Sequence, residues 1–585
     1  MIKQLKFLKT KEWILVALCV SLIVLQVWVD LKLPDFMAKI TQLVQTPNTQ
    51  MREVWIQGGY MLACAFGSLV LAIGVGFISS RVSSVLAFRT RDAIFRKVSD
   101  FSMGEIKNFS TASLITRTTN DITQVQMTFA MALQLLFKAP IMAVWAIVKV
   151  VNKGWQWSVA TGVGVGILVL MLCIVILFAV PKFKKIQKYT DELNGATRES
   201  LSGVRVVRAY NAEKYQEEKF NKTNQKVTDT HLYVSRIMAI IGPGMSLISN
   251  GLQLAIYWIG AVLINKASQF DKLLIFSDMV VYLSYAMQIV MSFMMLIMLF
   301  MLLPRAQVCA KRINEVLETP LSITDGKGEI NSEVKGEVEF RNVSFKYPDA
   351  EEYVVRDVNF KASCGETIAF IGSTGSGKST LINLIPRFYD ATIGEVLING
   401  KNIKDYSQKD LHNLMGYVPQ KAVIFGGTIE SNIRFGESEK EISEEDVDMA
   451  LKIAQATSFV EKLKDKKASR VAQNGLNLSG GQKQRLAIAR AIARKPEILI
   501  FDDSFSALDY KTDKALRRAL KKQKNKATTF IVAQRIGTII DADKIIVLDQ
   551  GNVVGMGTHS QLLKECEVYR EIALSQLSLE EVENA

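Results

Sequence analysis

A chain of 585 residues is too long for one hydrophobic core and implies at least two domains. Its hydrophobic content of 49% and mean hydropathy of +0.17 are high for a soluble protein, and nearly all of the excess lies in the first half. The net charge of +14 (71 Lys and Arg against 57 Asp and Glu) is that of basic loops beside membrane spans, and nucleic-acid binding is set aside.

Apolar runs of the roughly 20 residues that cross a bilayer occur near 13–34, 57–80, 129–151, 157–181, 238–264 and 273–303. The first run continues too far for a cleavable signal peptide and lacks a small-residue cleavage site. Lys3, Lys6, Lys9 and Lys11 precede it, and the segments 81–128 and 182–236 are rich in Arg and Lys, including Lys182, Lys184, Lys185 and Lys188. The connections 35–56, 152–156 and 265–272 are short or sparsely charged. Basic segments stay inside, which orients six spans with both termini of the membrane domain in the cytoplasm. The two basic segments carry helical periodicity (Leu86, Ile94, Phe95 and Val98; Val204, Val207 and Tyr210) and are expected to extend the spans into the cytoplasm. Short crosswise helices are expected near 105–115 and 211–222.

Asp30, Lys138, Lys149, Gln253, Asp278 and Gln288 fall inside spans, where polar groups are costly and tend to face a partner or a cavity. Lys138, followed by Ala139-Pro140, is the functional candidate, whereas Lys149 fits snorkelling at a helix end. The sixth span carries Met287, Met291, Met294, Met295, Met298 and Met301, either an adaptable surface for varied apolar ligands or ordinary helix-packing bulk. Six cysteines are scattered with no metal or redox spacing.

Composition changes near residue 320. The membrane domain is expected over 1–320, a polar linker over 321–335 and a second domain over 336–585. Strands are expected at Val338–Phe340, Val343–Phe345 and Thr367–Ile371. The last runs into Gly372, Ser373, Thr374, Gly375, Ser376, Gly377, Lys378, Ser379 and Thr380, then a helical pattern over Leu381–Phe388. This is G-x-x-x-x-G-K-[ST] in strand–loop–helix context. Glycines let backbone N–H groups wrap phosphates, Lys378 reaches the β- and γ-phosphates, and Ser379 binds Mg²⁺. Further on, the apolar strand Ile498–Phe501 ends in Asp502, a carboxylate able to hold Mg²⁺, followed by Asp503.

Together with this loop, Leu478, Ser479, Gly480, Gly481 and Gln482 make the chain resemble an ATP-binding cassette (ABC) transporter of the exporter type. The resemblance implies a helical membrane domain of six spans extended into the cytoplasm. It also implies an α/β P-loop nucleotide-binding domain with an antiparallel β subdomain and a helical signature subdomain. By the same resemblance Tyr347 stacks on adenine, Gln420 touches Mg²⁺ and faces the membrane domain, and Asp502 is the Mg²⁺ carboxylate. Ser506, Ala507, Leu508 and Asp509 match the loop that crosses to the partner domain, and Ser113, Arg117 and Asp121 resemble the first cytoplasmic coupling segment. The resemblance further implies ATP and Mg²⁺ as cofactors, a bacterial cytoplasmic membrane location, and a dimer in which each ATP faces the other chain's signature.

Two positions depart from the family. Asp503 stands where a catalytic Glu is usual, and its carboxylate is set back by one methylene, about 1.5 Å. Gln534 stands where a His is usual, and it cannot be protonated. The three histidines, His231, His412 and His559, lie outside the site's motifs, His559 being expected at the surface or in domain packing. A slowed ATP site beside an intact signature resembles the degenerate half of heterodimeric bacterial multidrug exporters. The expected partner is a non-identical half carrying Glu and His, and the expected cargo is amphipathic small molecules. Lipid or peptide export, or an ATP-gated regulatory subunit with little turnover, are the alternatives.

Overall fold

The computed structural model describes residues 2–46, 50–151, 155–326, 335–437, 441–522 and 527–576. Two compact units form: Met1–Lys97 with Ala112–Glu318, and Val98–Thr111 with Thr319–Ala585. Of the expected linker 321–335, residues 327–334 lie outside the described residues, as do 152–154 of the connection 152–156.

The first unit is helical: α1 (Thr10–Asp30), α2 (Leu33–Gln45), α3 (Met51–Ser99), α4 (Met103–Asn108), α5 (Thr111–Thr116), α6 (Ile122–Val151), α7 (Trp155–Ser202), α8 (Val204–Ala209), α9 (Glu213–Ala239), α10 (Ile241–Lys266) and α11 (Gln269–Glu318). Of these, α4 and the first residue of α5 fall in the second unit. Six helical stretches among the described residues are long and apolar enough to cross a membrane, and several run far beyond a bilayer's thickness, α3 for 49 residues and α7 for 48. The fully buried Ile23, Val27, Val82, Ile256, Tyr282 and Tyr285 belong to one core.

The first span is broken, not continuous. Pro34 has no N–H to offer the carbonyl one turn back, and α1 gives way to α2 at Leu31-Lys32. Tyr285 repairs the break: its hydroxyl lies 3.1 Å from the Leu31 carbonyl and 2.7 Å from Oδ1 of Asp35. Lys149 pairs with Asp35 at 2.9 Å, so it is tied to α2 rather than snorkelling freely. Lys138 pairs with Asp30 at 3.5 Å, and the Ser68 hydroxyl donates to the same carboxylate.

The crosswise helix expected near 105–115 is α4. Ser102 caps it, accepting from Gly104 N–H at 3.1 Å, and Glu105 closes the box on Ser102 N–H at 2.7 Å. The one expected at 211–222 is displaced: the short helix is α8, Asn211 turns with φ of 52°, and residues from Glu213 onward already belong to α9. Ser113, Arg117 and Asp121 lie beyond α4, on the rising helix and its π-helical turn Arg117–Asp121. There Arg117 donates to Arg312 O at 2.6 Å and pairs with Glu315 at 3.0 Å, which joins this turn to α11.

In the second unit an antiparallel sheet runs in the order β2-β1-β4-β5: β1 Val338–Phe345, β2 Val355–Ala362, β4 Ile393–Ile398, β5 Lys401–Asn402. The two strands expected within 338–345 are one, bent by a bulge at Asn342, whose φ is 49°. A six-stranded sheet runs β12-β11-β3-β10-β9-β6: β3 Thr367–Gly372, β6 Met415–Val418, β9 Ile498–Asp502, β10 Thr528–Val532, β11 Lys544–Asp549, β12 Asn552–Gly557. All but β12 are parallel, so the carboxyl ends of β3, β6, β9 and β10 open at one edge. A pair of short strands, β7 (Gly427–Thr428) and β8 (Arg470–Val471), accompanies a helical region that includes Glu444–Ile453 and Gly480–Ala493. The helix after the phosphate loop is regular only over Lys378–Ile382; irregular turns, three-residue up to Arg387 and then wider, carry the pattern on to Phe388.

Candidate active site

Parallel register assembles the site. β3 delivers the glycine loop, β9 delivers Asp502 and Asp503, β10 leads into Gln534, and β6 leads into Gln420. Gly375 and Gly377 sit at φ of +85° and +96°, a region costly for other residues. A Cβ on Gly377 would meet Val354 O at 2.9 Å, so only glycine lets the loop lie against β2.

The Lys378 ammonium is folded into the loop, donating to Gly372 O at 2.9 Å and Ser373 O at 2.7 Å. Burial lowers its pKa, opposed by Asp503 and Asp502. The Ser379 hydroxyl donates to Asp502 Oδ1 at 2.7 Å. Burial raises the Asp502 carboxyl from the usual range, with that hydrogen bond opposing. Hydroxyl and carboxylate oxygens this close are the hard ligands Mg²⁺ takes, and Ser379 and Asp502 would hold such an ion beside a bound phosphate. Among the described residues no group of three His, Cys, Asp or Glu is placed to hold a metal ion.

Asp503 is buried in left-handed backbone, φ 45°, pinned by its N–H to Val532 O at 3.0 Å and by Ser506 Oγ to its carbonyl at 2.8 Å. Its Oδ2 accepts from two amides, Gln420 Nε2 at 3.1 Å and Gln534 Nε2 at 2.9 Å. Burial raises its pKa, opposed first by the Gln420 hydrogen bond. The two residues that depart from the family pattern are thus bonded to each other.

The Tyr347 hydroxyl lies 3.0 Å from Thr380 Oγ1, and its ring meets Phe345 and Tyr389 edge-on. The Lys107 ammonium of α4 stands 4.8 Å from the centre of that ring, a cation–π contact. Sequence reasoning missed Lys107, because one lysine in a basic segment carries no mark of its distant neighbour.

Ser479 and Gly480 are exposed at the start of helix Gly480–Ala493. Ser479 Oγ accepts from Gln482 N–H at 3.3 Å while Gln482 Oε1 accepts from Ser479 N–H at 2.9 Å, a closed capping box. Leu478 is buried beneath it. A Cβ on Gly481 would stand 3.4 Å from Ala507 O, so the loop Ser506–Asp509 abuts the signature within one chain. Leu508 anchors that loop and Asp509 caps the next helix through Thr512 N–H at 3.0 Å. No histidine joins the site: His231 is exposed, His412 lies 2.9 Å from Pro386 O, and His559 is buried rather than at the surface, 2.7 Å from the Tyr569 hydroxyl.

Comparison with known proteins agrees with this arrangement. The family described as "ABC transporter transmembrane region" matches residues 16–293, and "ABC transporter" matches 355–506. An uncharacterized ABC transporter ATP-binding protein of Mycobacterium tuberculosis is 37% identical over 529 residues, covering 89% of this chain and 88% of that protein. YfiB of Bacillus subtilis, likewise uncharacterized, is 35% identical over 582 residues, 99% of each chain. An ATP-dependent lipid A-core flippase of Pseudomonas aeruginosa is 31% identical over 494 residues, 84% of this chain and 80% of the flippase. A bacterial Atm1-family ABC exporter solved with ATP bound superposes with a TM-score of 0.81 at 25% identity, covering 96% of this chain and 98% of that one. With a membrane region and an ATP-binding domain on one polypeptide, the chain belongs to the ABC transporters and has the architecture of an exporter half-transporter.

Proposed function

We propose that this chain is the slow-site half of a heterodimeric exporter that moves amphipathic small molecules out of a bacterial cytoplasm. In this reading ATP and Mg²⁺ bind its own phosphate loop, with Tyr347 under adenine and Lys378 on the β- and γ-phosphates. Ser379, Asp502 and Gln420 then hold the ion. The bound ion would neutralise phosphate charge and orient the terminal phosphoryl group. Ser479–Gln482 serve the partner's ATP, which lies against a Glu and a His of that non-identical chain.

One observation carries the reading: Asp503 spends one carboxylate oxygen on the amides of both Gln420 and Gln534. A carboxylate set back by one methylene stands farther from the water it would activate, and the two amides hold it in that withdrawn position. A displacement of about 1 Å alone costs on the order of 10²-fold in rate.

The test is ATP hydrolysis by the co-expressed pair, comparing Asp503→Ala here with Glu→Gln at the partner's matching position. A mild effect here with near-complete loss there supports the proposal, and the reverse order defeats it. Turnover of several per second by this chain alone, stimulated by drugs, would defeat it equally.

A lipid-like cargo is the second reading, favoured by relatives named as lipid A-core flippases and by charged groups within the spans. Stimulation of the pair by lipids but not by amphipathic drugs would select it. An ATP-gated regulatory subunit is the outcome if no turnover accompanies ATP binding in any pairing.

A further inference from the structure

The segment after β10 is held from outside by Gln576, just past the helix Glu567–Leu574. Ala533 N–H donates to Phe370 O at 3.2 Å, after which the backbone leaves the sheet. The Gln534 carbonyl then accepts from Gln576 Nε2 at 2.8 Å, and Ile536 N–H donates to Gln576 Oε1 at 2.9 Å. Ile536 opens the helix Ile536–Ile539, whose N-cap residue Arg535 offers no side-chain cap. One glutamine therefore satisfies an orphan helix donor and a free carbonyl, and it brackets Arg535 between them. Both bracketed residues bear on Asp503: Gln534 by its hydrogen bond, Arg535 by its charge. Gln576 has a firm base, because it closely follows the helix Glu567–Leu574, whose Tyr569 and Ala573 are fully buried.

We infer that Gln576 is a positioning residue for ATP hydrolysis at this chain's own site, fixing the backbone from which Gln534 reaches Asp503. The inference rests on the proposed roles of Gln534 and Asp503. Gln576 lies outside every motif of the site, and its side chain bonds to Gln534 and Ile536 rather than to Asp503 or the phosphate loop, so its effect passes through Gln534.

The experiment is single-turnover hydrolysis of γ-labelled ATP by the full chain in lipid nanodiscs. Q576A should slow the rate constant about three- to tenfold, the scale of one lost hydrogen bond. The ATP concentration at half-maximal rate should stay within about twofold, as expected when only the chemical step is touched. In a Q534A background, Q576A should add nothing. Q576E keeps the acceptor for Ile536 N–H but sets a second acceptor against Gln534 O in place of the donor, so it should leave the rate as slow as in Q576A. An unchanged rate in Q576A, an equal loss in the Q534A background, or full rescue by Q576E overturns the inference. If Q576A slows the reaction while Q534A does not, the proposed role of Gln534 falls as well. If Q534A slows it and Q576A does not, this inference alone falls.

Discussion

Restoring the usual pair at the ATP site should take two substitutions, not one. Asp503→Glu advances the carboxylate by about 1.5 Å, yet Gln534 Nε2 already stands 2.9 Å from Oδ2 and Gln420 Nε2 stands 3.1 Å away. Straight advance would leave the Gln534 amide no room, and Asp503 is held in buried, left-handed backbone that cannot retreat cheaply. The longer side chain must therefore displace Gln534 or fold aside. Asp503→Glu with Gln534→His removes the obstructing amide and supplies a titratable ring. Recovering about 1 Å of placement is worth on the order of 10²-fold, or about 2.7 kcal/mol of barrier. The double variant should gain about that much in the single-turnover hydrolysis rate, and Asp503→Glu alone about tenfold at most, being blocked by the amide. ATP affinity should hold within about twofold in both, because the phosphate loop is unchanged. A single variant as fast as the double would refute the idea that Gln534 obstructs. A double variant no faster than the parent would refute the assignment of Asp503 and Gln534 to the hydrolytic position.

Three further outcomes are expected. Asp30→Asn leaves Lys138 without its 3.5 Å partner inside a span and should destabilise the folded chain by about 2 kcal/mol, with Asp30→Asn/Lys138→Met recovering most of it, read by thermal melting in detergent; equal melting of both variants would refute the pairing. Tyr347→Ala should weaken ATP binding by about 1–3 kcal/mol, the worth of a base–aromatic stack, while leaving binding of inorganic tripolyphosphate unchanged; parallel loss of both would move Tyr347 out of the adenine site. Burial lowers the pKa of His559, so the unfolded chain takes up a proton first as pH falls through about 6.5. Stability should then decline below that pH until the folded form is protonated too, and His559→Gln should flatten this part of the melting-temperature profile between pH 7.5 and 5.5; identical slopes would show that the ring is not the group responsible.

What could be read ahead of the structure was whatever a local pattern encodes. The apolar strand Thr367–Gly372 running into glycines fixes both the phosphate loop and its place at a strand's carboxyl end. Long apolar runs announce spans, because a bilayer demands uninterrupted length. Local pattern misleads where distant residues decide. The break at Leu31-Lys32 sits in an apolar run, and its carbonyl is satisfied by Tyr285, 254 residues away. The second crosswise helix was displaced because Asn211 takes a left-handed turn while the polar pattern after it continues without interruption into α9. The two amides on Asp503 come from positions 83 and 31 residues away, joined only by the parallel register of β6, β9 and β10. Motifs named these residues one at a time; their bonding to each other is a property of the sheet.

The signature gives the sharpest test of asymmetry. Its capping box is closed, Leu478 anchors it, and Ser479 and Gly480 face outward at a helix N-terminus, where backbone N–H groups and the dipole favour a phosphate. If two identical copies assembled, each well-formed signature would face a site with Asp503 and Gln534, and damage to either element would slow the same sites. In a mixed pair the two elements of this chain act on different ATPs. Ser479→Ala removes the cap at a cost of about 1 kcal/mol, small enough for the domain to stay folded. In the assembled pair it should cut steady-state hydrolysis about fivefold if that cap energy is expressed in the partner's transition state. Asp503→Ala in the same pair should change it by less than about twofold, because the proposed slow site would contribute little to total flux. The measurement is phosphate release by the purified pair, each variant beside the parent at saturating ATP. Comparable losses from both substitutions would mean that this chain's signature and its own phosphate loop serve equivalent sites, and the case for a non-identical partner would collapse.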